Sequence, residues 1–307
     1  MSHPSIAGIP LVLGGNVFGW NVKDDLALAV LDAFYEAGGR MIDTAQGYSA
    51  WIPGHVGGES ERELGKWLES RGVRSEMRIA TKVNIWAKPG MLAPAHVTAE
   101  LELSLERLRS DYVDLYYAHN DDPETPQDEV AQGFAALVTA GKTRELGASN
   151  YTLERLVSAR DAAARLGVAG YTVLQNEYNL VERSKFEGAM QDYCVANDVA
   201  LLPYYGLAAG FLTGKYRTAA DLEGRVRGTS VARYMEPGKP VLAAMDAVAA
   251  ETGATLAQIA LAWLMAQPGV AAPIASATSV AQVRELCGAA KLELSAEQLA
   301  RLTSALS

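Results

Sequence analysis

Short apolar runs alternate with longer amphipathic stretches along most of the chain. The runs at 11–16, 41–45, 78–83, 112–119, 143–149, 172–177, 199–205 and 270–276 are rich in Val, Ile, Leu and Tyr. Parallel strands buried on both faces have this texture. The stretches between them keep helical spacing. Residues 24–37 place Leu26, Val30, Leu31 and Phe34 along one stripe, and 59–70 do the same with Leu64, Trp67 and Leu68. Residues 98–108 carry Leu101, Leu105 and Leu108, and 152–166, 183–196 and 255–266 follow the same period. Thr98 and Thr152 read as N-caps, although Leu101 and Arg155 stand where a capping box has Glu or Gln.

Eight strand–helix repeats in 307 residues predict an α/β fold. A single-domain (β/α)8 TIM barrel over 1–307 suits them better than an open doubly wound sheet. An open sheet that binds a dinucleotide carries GxGxxG after an early strand. Neither Gly14-Gly15-Asn16 nor Gly57-Gly58-Glu59 fits that pattern. Two stretches break the alternation: the loop at about 46–59, rich in Gly and Pro, and the polar segment 217–239. In a barrel both lie on the C-terminal face, where loops build active sites.

Composition narrows the classes. The chain is 49% hydrophobic and 21% charged, which excludes a disordered or fibrous protein. Its net charge of −9 and lack of a basic run argue against a nucleic-acid partner. Cys194 and Cys287 stand outside any CxxC or Cys/His cluster, so buried free thiols are expected rather than a metal site or disulfide. No basic segment followed by an apolar run opens the chain, and no run approaches membrane-spanning length. A cytoplasmic protein without a membrane partner is expected. No dimerisation signature marks an oligomeric state.

The predicted strand ends carry the chemistry. The second run brings Asp43, with Tyr48 five residues later; the third contains Lys82; the fourth ends in His119. Singly, Asp43 could cap a turn, Tyr48 could rest on the rim and His119 could be a core histidine. Lys82 lies inside an apolar strand and needs an edge or a carboxylate partner. Together the four make a proton-donating device. Asp43 would keep the lysine charged, and the ammonium would draw the Tyr48 pKa down from about 10. His119 would orient a carbonyl oxygen or relay a proton. Such a tyrosine could protonate a carbonyl oxygen as a hydride reaches carbon, which calls for a nicotinamide cofactor.

At these residues the sequence resembles the aldo-keto reductases. The resemblance covers nearly the whole chain. It rests on Gly39-Arg40-Met41-Ile42-Asp43-Thr44-Ala45-Gln46-Gly47-Tyr48, Gly58-Glu59-Ser60-Glu61, Ala80-Thr81-Lys82-Val83 and Tyr112-Val113-Asp114-Leu115-Tyr116-Tyr117-Ala118-His119. It continues through Gly147-Ala148-Ser149-Asn150, Gln175-Asn176-Glu177-Tyr178 and Leu202-Pro203-Tyr204-Tyr205-Gly206-Leu207. The run Gly210-Phe211-Leu212-Thr213-Gly214-Lys215-Tyr216 is similar to bacterial members related to the potassium-channel β-subunits.

The resemblance implies a tetrad of Asp43, Tyr48, Lys82 and His119, with Tyr48 as general acid. It implies that Ser149, Asn150 and Gln175 hold a nicotinamide carboxamide, with Tyr204 stacked on the ring. Leu207, Gly210 and Lys215 would follow the pyrophosphate. Ser276, Thr278 and Gln282 would face the adenosine end. Ser276 stands where the family has glycine, and Ser279 and Gln282 stand where it has Lys or Arg. The family habit implies NADP(H), with NAD(H) as the alternative. Trp20, Trp51 and Trp86, in loops after the first three strands, suggest an aromatic-walled pocket for a small-molecule carbonyl or alcohol, with Asn120 adding a hydrogen bond. Three other readings stay open: a sugar or alcohol dehydrogenase, a cofactor-binding interaction subunit with little turnover, and a Schiff-base enzyme using Lys82.

Overall fold

A computed structural model describes residues 8–224 and 228–306 of the 307-residue chain. Each of the eight apolar runs contains a strand. These are β1 (Val12–Gly14), β2 (Met41–Asp43), β3 (Arg78–Val83), β4 (Val113–Ala118), β5 (Thr143–Ser149), β6 (Val173–Gln175), β7 (Ala200–Leu201) and β8 (Ile274–Ala275). They form one parallel sheet in the order β7-β6-β5-β4-β3-β2-β1-β8. The two edges meet through a parallel bridge between Leu201 and Val270, and Ile274 N donates to Pro203 O at 2.9 Å. The eight parallel strands thus curl into a TIM barrel, as the alternation predicts.

Helices α1 (Asp24–Glu36), α2 (Glu59–Arg71), α3 (Pro94–Leu108), α4 (Gln127–Thr139), α5 (Leu153–Leu166) and α6 (Ala189–Ala196) follow the first six strands in turn. After β7 come α7 (Gly228–Met235), α8 (Lys239–Thr252) and α9 (Leu256–Met265); after β8 come α10 (Val280–Gly288) and α11 (Ala296–Ser304). The predicted stripes are buried against the barrel, with one exception. Leu26 is 44% exposed, and Ala27 takes its place on the inner face of α1. No single helix among the described residues is long and apolar enough to cross a membrane.

Three local expectations need correction. Thr98 does not cap α3: the helix starts four residues earlier with Pro94 in its first turn, where the missing N–H costs nothing, and the Thr98 hydroxyl donates to Pro94 O. The 183–196 stretch is helical only from Ala189, because Gly188 at φ 82° breaks the backbone before it. The 217–239 segment holds a short 3₁₀ turn (Ala219–Leu222) and α7; its residues 225–227 lie outside the described residues. Thr152 does cap α5, its hydroxyl accepting from Arg155 N. Both cysteines are free and buried, and burial pushes their thiols up, Cys194 to about 12 and Cys287 to about 11.

Period-two alternation positions the site. Within a strand, residues i and i+2 face the same side. Met41, Ala80, Leu115 and Val173 belong to the apolar cluster that fills the barrel. Two residues further along the same strands come Asp43, Lys82, Tyr117 and Gln175, all buried. The apolar floor therefore carries a polar layer one step nearer the C-terminal mouth. Gly147 makes room for this layer, since a Cβ there would lie 2.4 Å from the Tyr117 ring. Gly147→Ala should destabilise the protein by about 1–3 kcal/mol through overpacking. Chemical denaturation with an unchanged midpoint would show that the ring has room to move.

Candidate active site

Lys82 and Asp43 form the centre. Lys82 is fully buried, and its ammonium donates to Asp43 Oδ2 at 2.6 Å, Thr44 O at 2.8 Å and Tyr48 OH at 2.9 Å. Three donors meet three acceptors, so the buried charge is satisfied. Asp43 Oδ1 accepts from Gln175 Nε2 at 2.9 Å, which ties β2 to β6 across the barrel. The Tyr48 hydroxyl also lies 3.3 Å from Asp43 Oδ2. His119, one residue beyond β4, meets the Tyr48 ring edge-on at a centroid distance of 5.9 Å. Its Nδ1 is buried and has no hydrogen-bond partner.

The electrostatics differ from expectation in one respect. The Tyr48 phenol is pushed well above its ordinary value, not below it. Burial is the main cause and the Asp43 carboxylate adds to it. The ion pair is neutral overall, so little of the ammonium's field is left to favour a phenolate. Burial lowers the Lys82 pKa, with Asp43 opposing the shift. His119 is held well below its ordinary value by burial and by the Lys82 charge. At neutral pH the tyrosine therefore keeps its proton and the imidazole is uncharged.

Tyr48 forms part of the wall of a cavity of about 970 Å³ at the C-terminal mouth. Beside it the wall holds Asp43, His119, Asn120, Trp20 and Trp51. Trp51 packs edge-on against both Tyr48 and Trp20, at 6.1 and 6.4 Å between centroids. Ser149, Asn150, Gln175 and Tyr204 lie on the same cavity. Asn150, in a left-handed conformation at φ 59°, donates to His119 O at 2.9 Å and accepts from Tyr204 OH at 2.7 Å. Leu207, Gly210 and Lys215 line the next stretch, and Ser276, Thr278 and Gln282 line the far part.

Two placements differ from the sequence reading. Trp86 is 56% exposed and does not line the cavity; it sits in a loop where Asn84 and Ala87 are both at positive φ. Asn120 reaches the wall, but its amide donates to Asn84 O and Ile85 O, each at 3.0 Å, and so braces that loop. The sequence reading also missed lining residues, among them Asn16, Tyr205 and Glu285. Asn16 accepts from the Ser276 hydroxyl at 2.6 Å, joining the loops after β1 and β8. It ends the first apolar run, the same kind of position that singled out His119. Glu285 lies one helical turn beyond Gln282 on α10, a spacing that places both on one face.

The comparisons agree with this architecture. The sequence profile of the Aldo/keto reductase family matches residues 10–307, and the chain belongs to that family. A probable voltage-gated potassium channel subunit beta of Arabidopsis thaliana is 31% identical over 285 residues, 87% of this chain and 83% of that protein. Norsolorinic acid reductase stcV of Emericella nidulans is 31% identical over 317 residues, 96% of this chain and 78% of that protein. The crystal structure of the thermostable aldo-keto reductase Tm1743 with the inhibitor epalrestat matches with a TM-score of 0.77 and 27% identity. That match covers 99% of this chain and 95% of the other.

The buried ionisable groups give two stability predictions. Lys82→Met leaves Asp43 buried without a counter-charge and should cost about 3–5 kcal/mol, whereas Lys82→Met with Asp43→Asn should recover much of that loss. Denaturant titration of the two variants checks this, and equal losses would mean that the ion pair is not the cause. For His119, the unfolded chain takes up a proton near pH 6.5 and the folded chain does so only at lower pH. Stability should therefore be lost as pH falls below the unfolded value. Melting temperature against pH should flatten over this window in His119→Gln.

Proposed function

We propose that this protein is an NAD(P)H-dependent oxidoreductase that reduces aldehyde or ketone carbonyls to alcohols, with Tyr48 as the proton donor. One observation carries the reading: a protonated phenol, 2.9 Å from a buried ammonium, lines a cavity next to a neutral histidine. A nicotinamide nucleotide, when bound, supplies the hydride. The donor set suits such a group. Ser149, Asn150 and the Gln175 amide line the same cavity as Tyr48 and carry hydroxyl and amide groups suited to a carboxamide, and Tyr204 offers an aromatic face. Gly210, at φ 101°, gives close backbone approach, and Lys215 gives a positive charge. The volume of about 970 Å³ has room for a large ligand.

The residues then divide the work. Tyr48 donates its proton to the carbonyl oxygen. Lys82 stands against the phenolate that remains, and Asp43 keeps the lysine oriented and charged. His119, uncharged and on the same wall, orients the oxygen. Trp20 and Trp51 give an apolar aromatic side, which favours aromatic or medium-sized apolar carbonyls. The same groups run in reverse on an alcohol. A Schiff-base role does not suit Lys82, whose nitrogen is fully buried and engaged by three acceptors.

Tyr48→Phe tests the assignment. Carbonyl reduction should fall by about 10²–10⁴-fold, while nucleotide affinity measured by calorimetry stays near that of the native protein. A variant that keeps the native rate would remove Tyr48 from the chemistry.

A further inference from the structure

A buried carboxylate outside the proton-handling layer joins the barrel to α7. Glu177, two residues beyond Gln175, is 2% exposed. Its Oε1 accepts from Arg233 Nη2 at 2.6 Å and from the Tyr234 hydroxyl, both on α7. Its Oε2 accepts from Lys185 Nζ at 2.5 Å. Lys185 lies before α6, and it and Arg233 are each half-exposed. A carboxylate this enclosed needs its partners, which fixes α7 in place.

What α7 packs on gives this contact its meaning. The Tyr234 ring stacks on Phe211, at 6.3 Å between centroids, and the Arg233 guanidinium stands 6.0 Å from the Tyr205 ring. A Cβ on Gly238, just beyond α7, would lie 2.2 Å from the Phe211 ring, so the two are closely packed. Phe211 belongs to the turn Ala208–Thr213, and Tyr205, Leu207, Ala209 and Gly210 line the cavity. The backbone there is unusual. Tyr205, Ala208 and Ala209 sit at φ 54°, 48° and 56°, left-handed values that non-glycine residues rarely adopt. Such conformations persist only where the surroundings over-determine them. Asn179 Nδ2 braces one end by donating to Tyr205 O at 3.0 Å, and α7 braces the other.

We propose that Glu177 is a positioning residue for the nucleotide. Through Arg233 and Tyr234 it latches α7 onto the turn, and α7 holds the turn in the left-handed shape that it presents to the cavity. A turn so fixed gives up little conformational freedom when a ligand binds against it, and it opens too rarely for the ligand to leave quickly. The nucleotide role rests on the oxidoreductase reading above; the latch itself does not.

Hydrogen exchange of the full chain reads the latch with no ligand added. The Gly210 and Leu212 amides donate to Leu207 O at 2.8 and 3.2 Å, within or beside the turn. Glu177→Gln and Arg233→Met should speed their exchange about tenfold. Lys185→Met removes the one donor that is not on α7 and should leave it unchanged. Stopped-flow displacement then reads the nucleotide, with NADH or NADPH as the probe, whichever binds the native chain more tightly. Release should be about tenfold faster in the first two variants and native in the third. Arg233→Met, at a half-exposed position, carries the test should Glu177→Gln not fold. Native exchange and release in Arg233→Met, or equal acceleration in Lys185→Met, would overturn the inference and leave the oxidoreductase reading standing. Faster exchange with native release would remove Glu177 from nucleotide retention. Binding of neither nucleotide to the native chain would overturn the oxidoreductase reading and the nucleotide role with it.

Discussion

Everything at the barrel mouth depends on one buried ion pair. Lys82 is wholly enclosed, and the Asp43 carboxylate at 2.6 Å is the counter-charge that makes a full charge tolerable there, with Thr44 O and Tyr48 OH as further acceptors. The pair exists because β2 and β3 are neighbours: Asp43 is in register with Ala80, and Lys82 lies two residues further along β3 on the same inward face. Being neutral as a unit, it leaves Tyr48 protonated and His119 uncharged. The centre rests without net charge and has an ammonium 2.9 Å from the Tyr48 hydroxyl. Under the proposed chemistry, a charge developing on that oxygen would meet a dipole already in place.

The barrel was legible because parallel strands buried on both faces leave unbroken apolar runs, and all eight runs hold strands. Their ends were less clear. The runs 199–205 and 270–276 each shrink to two ladder residues, Ala200–Leu201 and Ile274–Ala275. Residues beyond these ends stay apolar because they pack inside the barrel: Leu202 and Ala272 are examples. Helix starts failed where the backbone overrides the side-chain pattern, as Pro94 does for α3 and Gly188 for α6.

The four residues of the proposed tetrad could be read from the sequence because each sits at a strand end or just after one. Loop residues were harder. Trp51 and Trp86 look alike in sequence, yet one packs on Tyr48 and the other faces solvent. The difference lies in loop conformation, such as the positive-φ residues Asn84 and Ala87 around Trp86, which composition does not announce. The direction of the Tyr48 shift was also beyond sequence reasoning. A lysine beside a phenol lowers its pKa only when the lysine's charge is not already matched, and Asp43 matches it.

The way the barrel closes gives its two sides different character. β3, β4 and β5 are joined by long ladders, with Ala80–Val83 paired to Leu115–Ala118 and Val113 reaching Thr143. The seam between β7 and β8 rests on the Leu201–Val270 bridge and a few flanking backbone hydrogen bonds. The loops bearing Tyr204, Lys215 and Ser276 leave from that seam, whereas Asp43, Lys82 and His119 stand on or beside β2, β3 and β4. A small hinge at the seam would widen the groove for a long ligand to enter or leave. Asp43, Lys82 and His119 would keep their spacing throughout, as a vice holds its fixed jaw still while the other one travels.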